Sequence, residues 1–264
     1  HGGQDGGAVA ADGTAESEIN LAVSLRLEGI LRFAGVPTEM TRREDVMVCD
    51  PGLETMRQRK VSDLHNRASF VNGIPNAVLL SIHQNSLPSS PVTHGAQTFW
   101  NRQEGAEALA RTLQAGLNPV VNTHRAKEPK QIAESIYLMN HVTVPAVLVE
   151  CGFLSNAAET ALLQDEGYQQ RLSAAVCGAL NGKDLFGIFK DAMSGAEKGE
   201  AIGAAGNTVA GPSFPKRLQS AIALGMNAND LSEAMDTLRS YFDCSGMAAD
   251  SVPVSFGLMA AAKG

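Results

Sequence analysis

Pro145-Ala146-Val147-Leu148-Val149-Glu150-Cys151-Gly152-Phe153-Leu154-Ser155-Asn156 is an apolar run entered by proline, broken by glycine and carrying a single acid. A short segment rich in Val and Leu with these borders reads as a buried strand, and the C-terminal ends of such strands in open α/β sheets face ligands. A carboxylate at that point, Glu150, is costly unless something uses it. Taken alone it equally fits an acid that caps the following loop or helix.

Working outward, the same pattern recurs in Ala77-Val78-Leu79-Leu80-Ser81-Ile82, a second apolar strand, which ends at His83. From Ser17 the apolar positions Ile19, Val23, Leu27, Ile30 and Leu31 recur at helical spacing until Gly35, which predicts an amphipathic helix with Glu16 at its entrance. Further helices are expected from about Leu53 to Val71, Glu104 to Leu117, Asn156 to Leu163 and Tyr168 to Leu180. Further strands are expected over Val36 to Thr41, His94 to Trp100 and Ser135 to Met139. Alternating strands and helices predict an α/β fold, a central mostly parallel or mixed sheet flanked by helices on both faces.

The character changes after about residue 182. Gly, Ala and small polar residues dominate Ser194 to Pro215, so residues 183–215 read as a linker. Residues 216–264 read as a small helical or poorly ordered C-terminal extension of unknown role, with one or two helices between Ala221 and Phe242. Residues 1–182 form the main domain.

Composition excludes several classes. With 264 residues, 44% of them hydrophobic, the chain can bury a full core. A net charge of −7 leaves no basic stripe for nucleic acid. No apolar stretch approaches the roughly 18 to 20 residues of a membrane span. The cysteines Cys49, Cys151, Cys177 and Cys244 are scattered without a C-x-x-C pair, as small buried residues are, and not as a disulfide framework or thiolate zinc cluster is. The glycine-rich opening His1-Gly2-Gly3-Gln4-Asp5-Gly6-Gly7-Ala8 lacks the Gly-Lys-Ser/Thr of a phosphate loop. Beginning without methionine, the chain reads as a fragment lacking any export signal.

His1, Glu16, His83 and Glu150 all stand at the ends of elements. Two imidazoles and one carboxylate are a ligand set of catalytic zinc sites that keep a fourth position open, and a further carboxylate beside such a site can carry a proton. Spacing alone does not bring the four together. Cys151 is a competing nucleophile, with His83 or His141 as its base.

Six stretches, in order, resemble one family. They are His1-Gly2-Gly3-x-Asp5-x-Gly7-Ala8, Gly13-Thr14-x-Glu16-x-x-x-Asn20-Leu21, Thr41-Arg42-x-x-Asp45, Arg67 to Asn72, Ser81-Ile82-His83-x-Asn85-Ser86, and Pro145 to Asn156. Together they look like the zinc-dependent N-acetylmuramoyl-L-alanine amidases of the amidase-3 family, over residues 1 to about 180. The surroundings of His94 to Phe99 and the Cys after Glu150 are most similar to the branch that acts on spore-cortex peptidoglycan.

The resemblance implies that His1, Glu16 and His83 bind zinc and that Glu150 is the catalytic acid/base. It implies a peptidoglycan substrate, cut at the amide between the lactyl group of N-acetylmuramic acid and L-alanine. It also implies an extracellular or cell-envelope location and a possible activator protein. His94 is a candidate for contacting substrate. Arg67 and Asn72 are candidates for the same role or for stitching their helix to the site loops. His65, His124 and His141 read as surface or structural residues. The family's strand ending in Asp-Pro-Gly before the first histidine is absent, so the N-terminal strand is expected to be truncated, with the His1 α-amine free to compete for metal. A catalytically inactive wall-binding module is the alternative of a different class.

Overall fold

The computed structural model describes residues 1–34, 36–181, 220–224 and 231–241. Two units are distinguished: His1–Leu31 with Pro37–Leu180, and Arg32–Val36 with Asn181–Gly264. In the first, four strands form one mixed sheet: β1 (Leu79–Asn85), β2 (Gln97–Trp100), β3 (Lys130–Gln131) and β4 (Ala146–Phe153), in the order β1-β4-β2-β3. β1 runs parallel to β4, β2 antiparallel to β4, and β3 parallel to β2.

β4 holds its place because its residues suit burial on both faces. Ala146, Val147, Leu148 and Val149 are all buried, as a central strand covered on both sides requires. Because side chains alternate across a strand, Ala146 and Leu148 pack on one face with Ala68 and Val71 of α2 (Met56–Asn72) and Met139 of α4 (Tyr137–His141). The other face belongs to α3 (Ala106–Val121), which contacts β2 and β4 and buries Ala110, Leu113 and Leu117 completely. α3 approaches α6 (Glu166–Asn181) closely: a Cβ on Gly116 would lie 2.8 Å from the Cβ of Ala179. α6 in turn meets α1 (Glu16–Phe33) through Ser173, whose Oγ donates to Val23 O. The predicted apolar positions of α1, Ile19, Val23, Leu27, Ile30 and Leu31, are all buried.

Local signals explain the helix starts. Thr55 and Gln58 form a capping box that opens α2, and Asn156 accepts from the Ala158 and Glu159 amides to open α5 (Ala157–Gln164). Two expected strands do not form. Residues 36–40 make no ladder; Pro37 removes a donor, and Thr41 is held by the Arg67 guanidinium at its Oγ1. The stretch Ser135 to Met139 runs into helix α4 instead, because Met139 is drawn into the core and Asn140 turns its amide back onto Ala133 O and Ile136 O. The two-residue strand β3 has no sequence signal, since both residues are exposed.

In the second unit, residues 220–224 and α7 (Leu231–Tyr241) are helical, with Ala221 and Leu238 buried together and Leu224 against them. The expected linker, residues 183–215, and the tail after Tyr241 fall outside the described residues. No helix among the described residues is long and apolar enough to cross a membrane.

Candidate metal centre

Three groups from separate parts of the chain converge. His1 lies on the glycine-rich loop, Glu16 on the first turn of α1, and His83 on β1. Their ligand atoms all lie within 4.8 Å of one another. His83 Nδ1 lies 2.7 Å from Glu16 Oε1, His1 Nε2 lies 3.6 Å from Glu16 Oε2, and the two rings meet edge to face at 5.4 Å.

Glu16 is the best-anchored member. It is 4% exposed, yet the Ala8 amide donates to its Oε2 at 2.9 Å, and the Gln84 amide and Asn20 Nδ2 each donate to its Oε1 at 3.2 Å. Burial opposes ionisation, but the hydrogen bond and charge of His83, the charge of His1 and the Ala8 amide outweigh it and bring Glu16 down to about 2. A carboxylate kept ionised between two imidazoles is a donor set suited to a divalent transition metal.

The loop carrying His1 is built around this anchor. At Gly7, φ is +73°, and a Cβ there would meet Glu16 Oε2 at 2.5 Å and the His1 ring at 2.9 Å. Only glycine leaves room for carboxylate and ring to face each other.

Glu150 enters from the neighbouring strand. It is the Cα partner of His83 across the β1–β4 ladder and of Gln97 across β4–β2. Its Oε2 is buried without a hydrogen-bond partner. Burial, reinforced by the charge of Glu16, pushes its carboxyl up to about 8. An acid oxygen left without a partner beside an ionised carboxylate is a group that can hold or release a proton.

The other candidates lie outside the cluster. Arg67 is buried, forms an ion pair with Asp63 at 2.6 Å and donates to Thr41 Oγ1. Asn72 donates to His141 O and accepts from the Thr143 amide, joining α2 to the segment before β4. His94 is exposed in the loop before β2, with Nδ1 3.0 Å from Val92 O. His65 and His141 each stack on Tyr137, and His124 is exposed in the loop after α3. Cys151 is 1% exposed, and burial pushes its thiol up to about 12, which removes the thiolate a nucleophile needs.

Two features escaped the sequence reading. Asp5 Oδ2 lies 3.0 Å from His1 Nδ1, a contact that only the H-x-x-x-D spacing in the opening loop hints at. Glu159 is buried and accepts from the Gly95 amide at 2.6 Å and the Phe153 amide at 2.7 Å, tying the loop before β2 to the end of β4.

Similarity to known proteins covers the same part of the chain. The profile of the N-acetylmuramoyl-L-alanine amidase family, amidase-3, matches residues 1–182. The germination-specific N-acetylmuramoyl-L-alanine amidase of Bacillus subtilis (strain 168) is 35% identical over 179 residues, 67% of this chain and 73% of the relative. The CwlD amidase from Clostridioides difficile, solved in complex with the GerS lipoprotein, superposes with a TM-score of 0.66 at 34% identity, over 69% of this chain and 93% of that one. The catalytic domain of CwlV, an amidase from Bacillus (Paenibacillus) polymyxa var. colistinus, gives 0.57 at 29% identity, over 69% and 92%.

Proposed function

The chain belongs to the N-acetylmuramoyl-L-alanine amidase family amidase-3, an enzyme class acting on peptidoglycan, and from that premise we propose that it is a zinc hydrolase in which Glu150 moves the proton. His1, Glu16 and His83 would hold the ion; the orphaned Oε2 of Glu150 beside them is the observation that carries the reading. A zinc ion there supplies a Lewis acid for the scissile carbonyl and the attacking water, and a positive charge that favours ionised Glu150.

The protein's own groups do the rest. Glu150 takes a proton from the attacking water as the new C–O bond forms. It then gives that proton to the departing nitrogen as the C–N bond breaks, leaving a lactyl carboxylic acid and a free L-alanine amine, and the acid's proton then passes to the amine to give carboxylate and ammonium. Glu16, held by the Ala8 and Gln84 amides, stays ionised and keeps both imidazoles in place. Glu150 Oε2 is itself buried, which shields the proton it carries from bulk water.

The similarity to a germination-specific amidase supports spore-cortex peptidoglycan as the substrate and the cell envelope or exterior as the place of action. The relative solved with a lipoprotein supports an activator of that kind.

The test is metal analysis of the purified chain joined to digestion of purified peptidoglycan. The reading expects about one zinc per chain, release of peptides beginning with L-alanine, loss of activity on chelation and recovery on adding zinc. Cleavage that survives full chelation would sink it, and a zinc-loaded chain that never cuts would favour a wall-binding role.

A further inference from the structure

Among the three proposed ligands, His1 has the weakest framework. Glu16 is set by α1 and His83 by the β1 ladder, whereas His1 sits on a loop, 31% exposed at its side chain, in no strand or helix. An imidazole there can rotate and can carry its proton on either nitrogen. Something must choose.

A chain of contacts does so. Lys60 Nζ on α2 lies 2.8 Å from Asp5 Oδ1, and Asp5 Oδ2 lies 3.0 Å from His1 Nδ1. An ionised carboxylate only accepts, so the proton shared with it belongs to His1 Nδ1, and the lone pair is left on Nε2. That Nε2 is the atom turned toward Glu16 Oε2, at 3.6 Å. The loop itself does not need this side chain for its shape. Its backbone closes through Gly2 and Asp5, with N···O distances of 2.8 and 3.1 Å in the two directions. The Gly3 amide donates to Asp45 Oδ1, and Arg59 donates to Gln4. The Asp5 carboxylate is therefore free to serve His1.

We infer that Asp5, braced by Lys60 of α2, is a positioning residue that fixes His1 as an Nε2 metal ligand in its Nδ1–H tautomer. The inference rests on the zinc reading above. Such outer partners orient the ring and raise its basicity, and their removal costs about 10- to 100-fold in metal affinity. Because Lys60 lies on α2, it also couples the His1 loop to a rigid helix of the main unit.

The experiment uses the full chain as wild type, Asp5→Ala, Asp5→Asn and Lys60→Met, each stripped of metal and titrated with zinc against a chromophoric chelator. Asp5→Ala is expected to bind zinc about 10- to 100-fold more weakly. Asp5→Asn, whose amide oxygen still accepts from Nδ1–H, is expected to fall between it and wild type, and Lys60→Met to lose less than Asp5→Ala. Long-range nitrogen–proton correlation spectra of the metal-free His1 ring supply a second readout: Nδ1–H alone in wild type, both tautomers in Asp5→Ala. Metal-free melting temperatures are expected to stay together, since the loop's backbone contacts remain. Equal zinc affinity in wild type and Asp5→Ala, or an unchanged tautomer, overturns the inference while leaving the zinc reading intact. So does an affinity loss that merely tracks a fall in metal-free melting temperature. A wild-type chain that binds no zinc overturns the zinc reading itself, and the inference with it.

Discussion

His83 and Glu150 are direct partners across the parallel ladder of β1 and β4, so a proposed ligand and the proposed proton carrier are fixed side by side by backbone register. One residue of slip would send every β4 side chain to the opposite face and turn Glu150 away from His83. The geometry of the site is thus set by the register of the two strands.

If Glu150 carries the proton, Glu150→Gln keeps the shape and removes the chemistry. The rate of L-alanine peptide release from purified peptidoglycan should fall by about 10²- to 10⁴-fold. Zinc content, measured on the same preparation, should be unchanged; a loss of zinc would make Glu150 a ligand instead.

The acidic pair also sets how stability depends on pH in the metal-free chain. Glu150 has a folded pKa of about 8, above its ordinary 4.5, so the folded state binds more protons between those values and stability falls as pH rises through that window. Glu16, at about 2 in the fold, acts oppositely: its contribution is complete above 4.5 and fades as pH drops toward 2. Melting curves of metal-free protein should therefore decline from about pH 5 to 8. In Glu150→Gln that decline should flatten, while the acid limb remains.

Gly7 and Gly13 both have positive φ, but only Gly7 faces the cluster. Gly7→Ala would drive a methyl to within 2.5 Å of Glu16 Oε2, whereas nothing lies within 4 Å of a Cβ at Gly13. Gly13→Ala is expected to cost about 1–2 kcal/mol of backbone strain and keep zinc; Gly7→Ala should lose zinc affinity as well. Parallel thermal melts and zinc titrations distinguish the two.

Cys151→Ala should leave peptidoglycan cleavage within a few-fold of wild type and lower stability by about 1 kcal/mol, the loss of one small buried group. Native protein treated with iodoacetamide should remain unmodified at Cys151, as peptide mass spectrometry would reveal. Abolished activity in this variant would restore the thiol as nucleophile.

Much of the fold could be read along the chain because its signals are local. The apolar run before Glu150, the apolar stripe of α1 and the capping box of Thr55 and Gln58 are set by residues a few positions apart. The failures were segments whose partners lie elsewhere. Thr41 is held by Arg67 from α2, β3 pairs two exposed residues with Phe99 and Trp100, and α4 forms because Met139 is pulled into a core that distant elements build.

The same division runs through the site. Residue type and motif order in the sequence nominated His1, Glu16, His83 and Glu150, since two imidazoles and two carboxylates at element ends are a chemical signature whatever the fold. The tertiary structure alone decided their relationship. It draws three of them within 4.8 Å and leaves Glu150 with a buried, unpaired oxygen. It also supplies Asp5 and Lys60 behind His1. The physical reason is range: what a side chain can do is written in its own atoms, but its pKa, tautomer and partners are set by groups that folding brings from 4 to nearly 70 residues away.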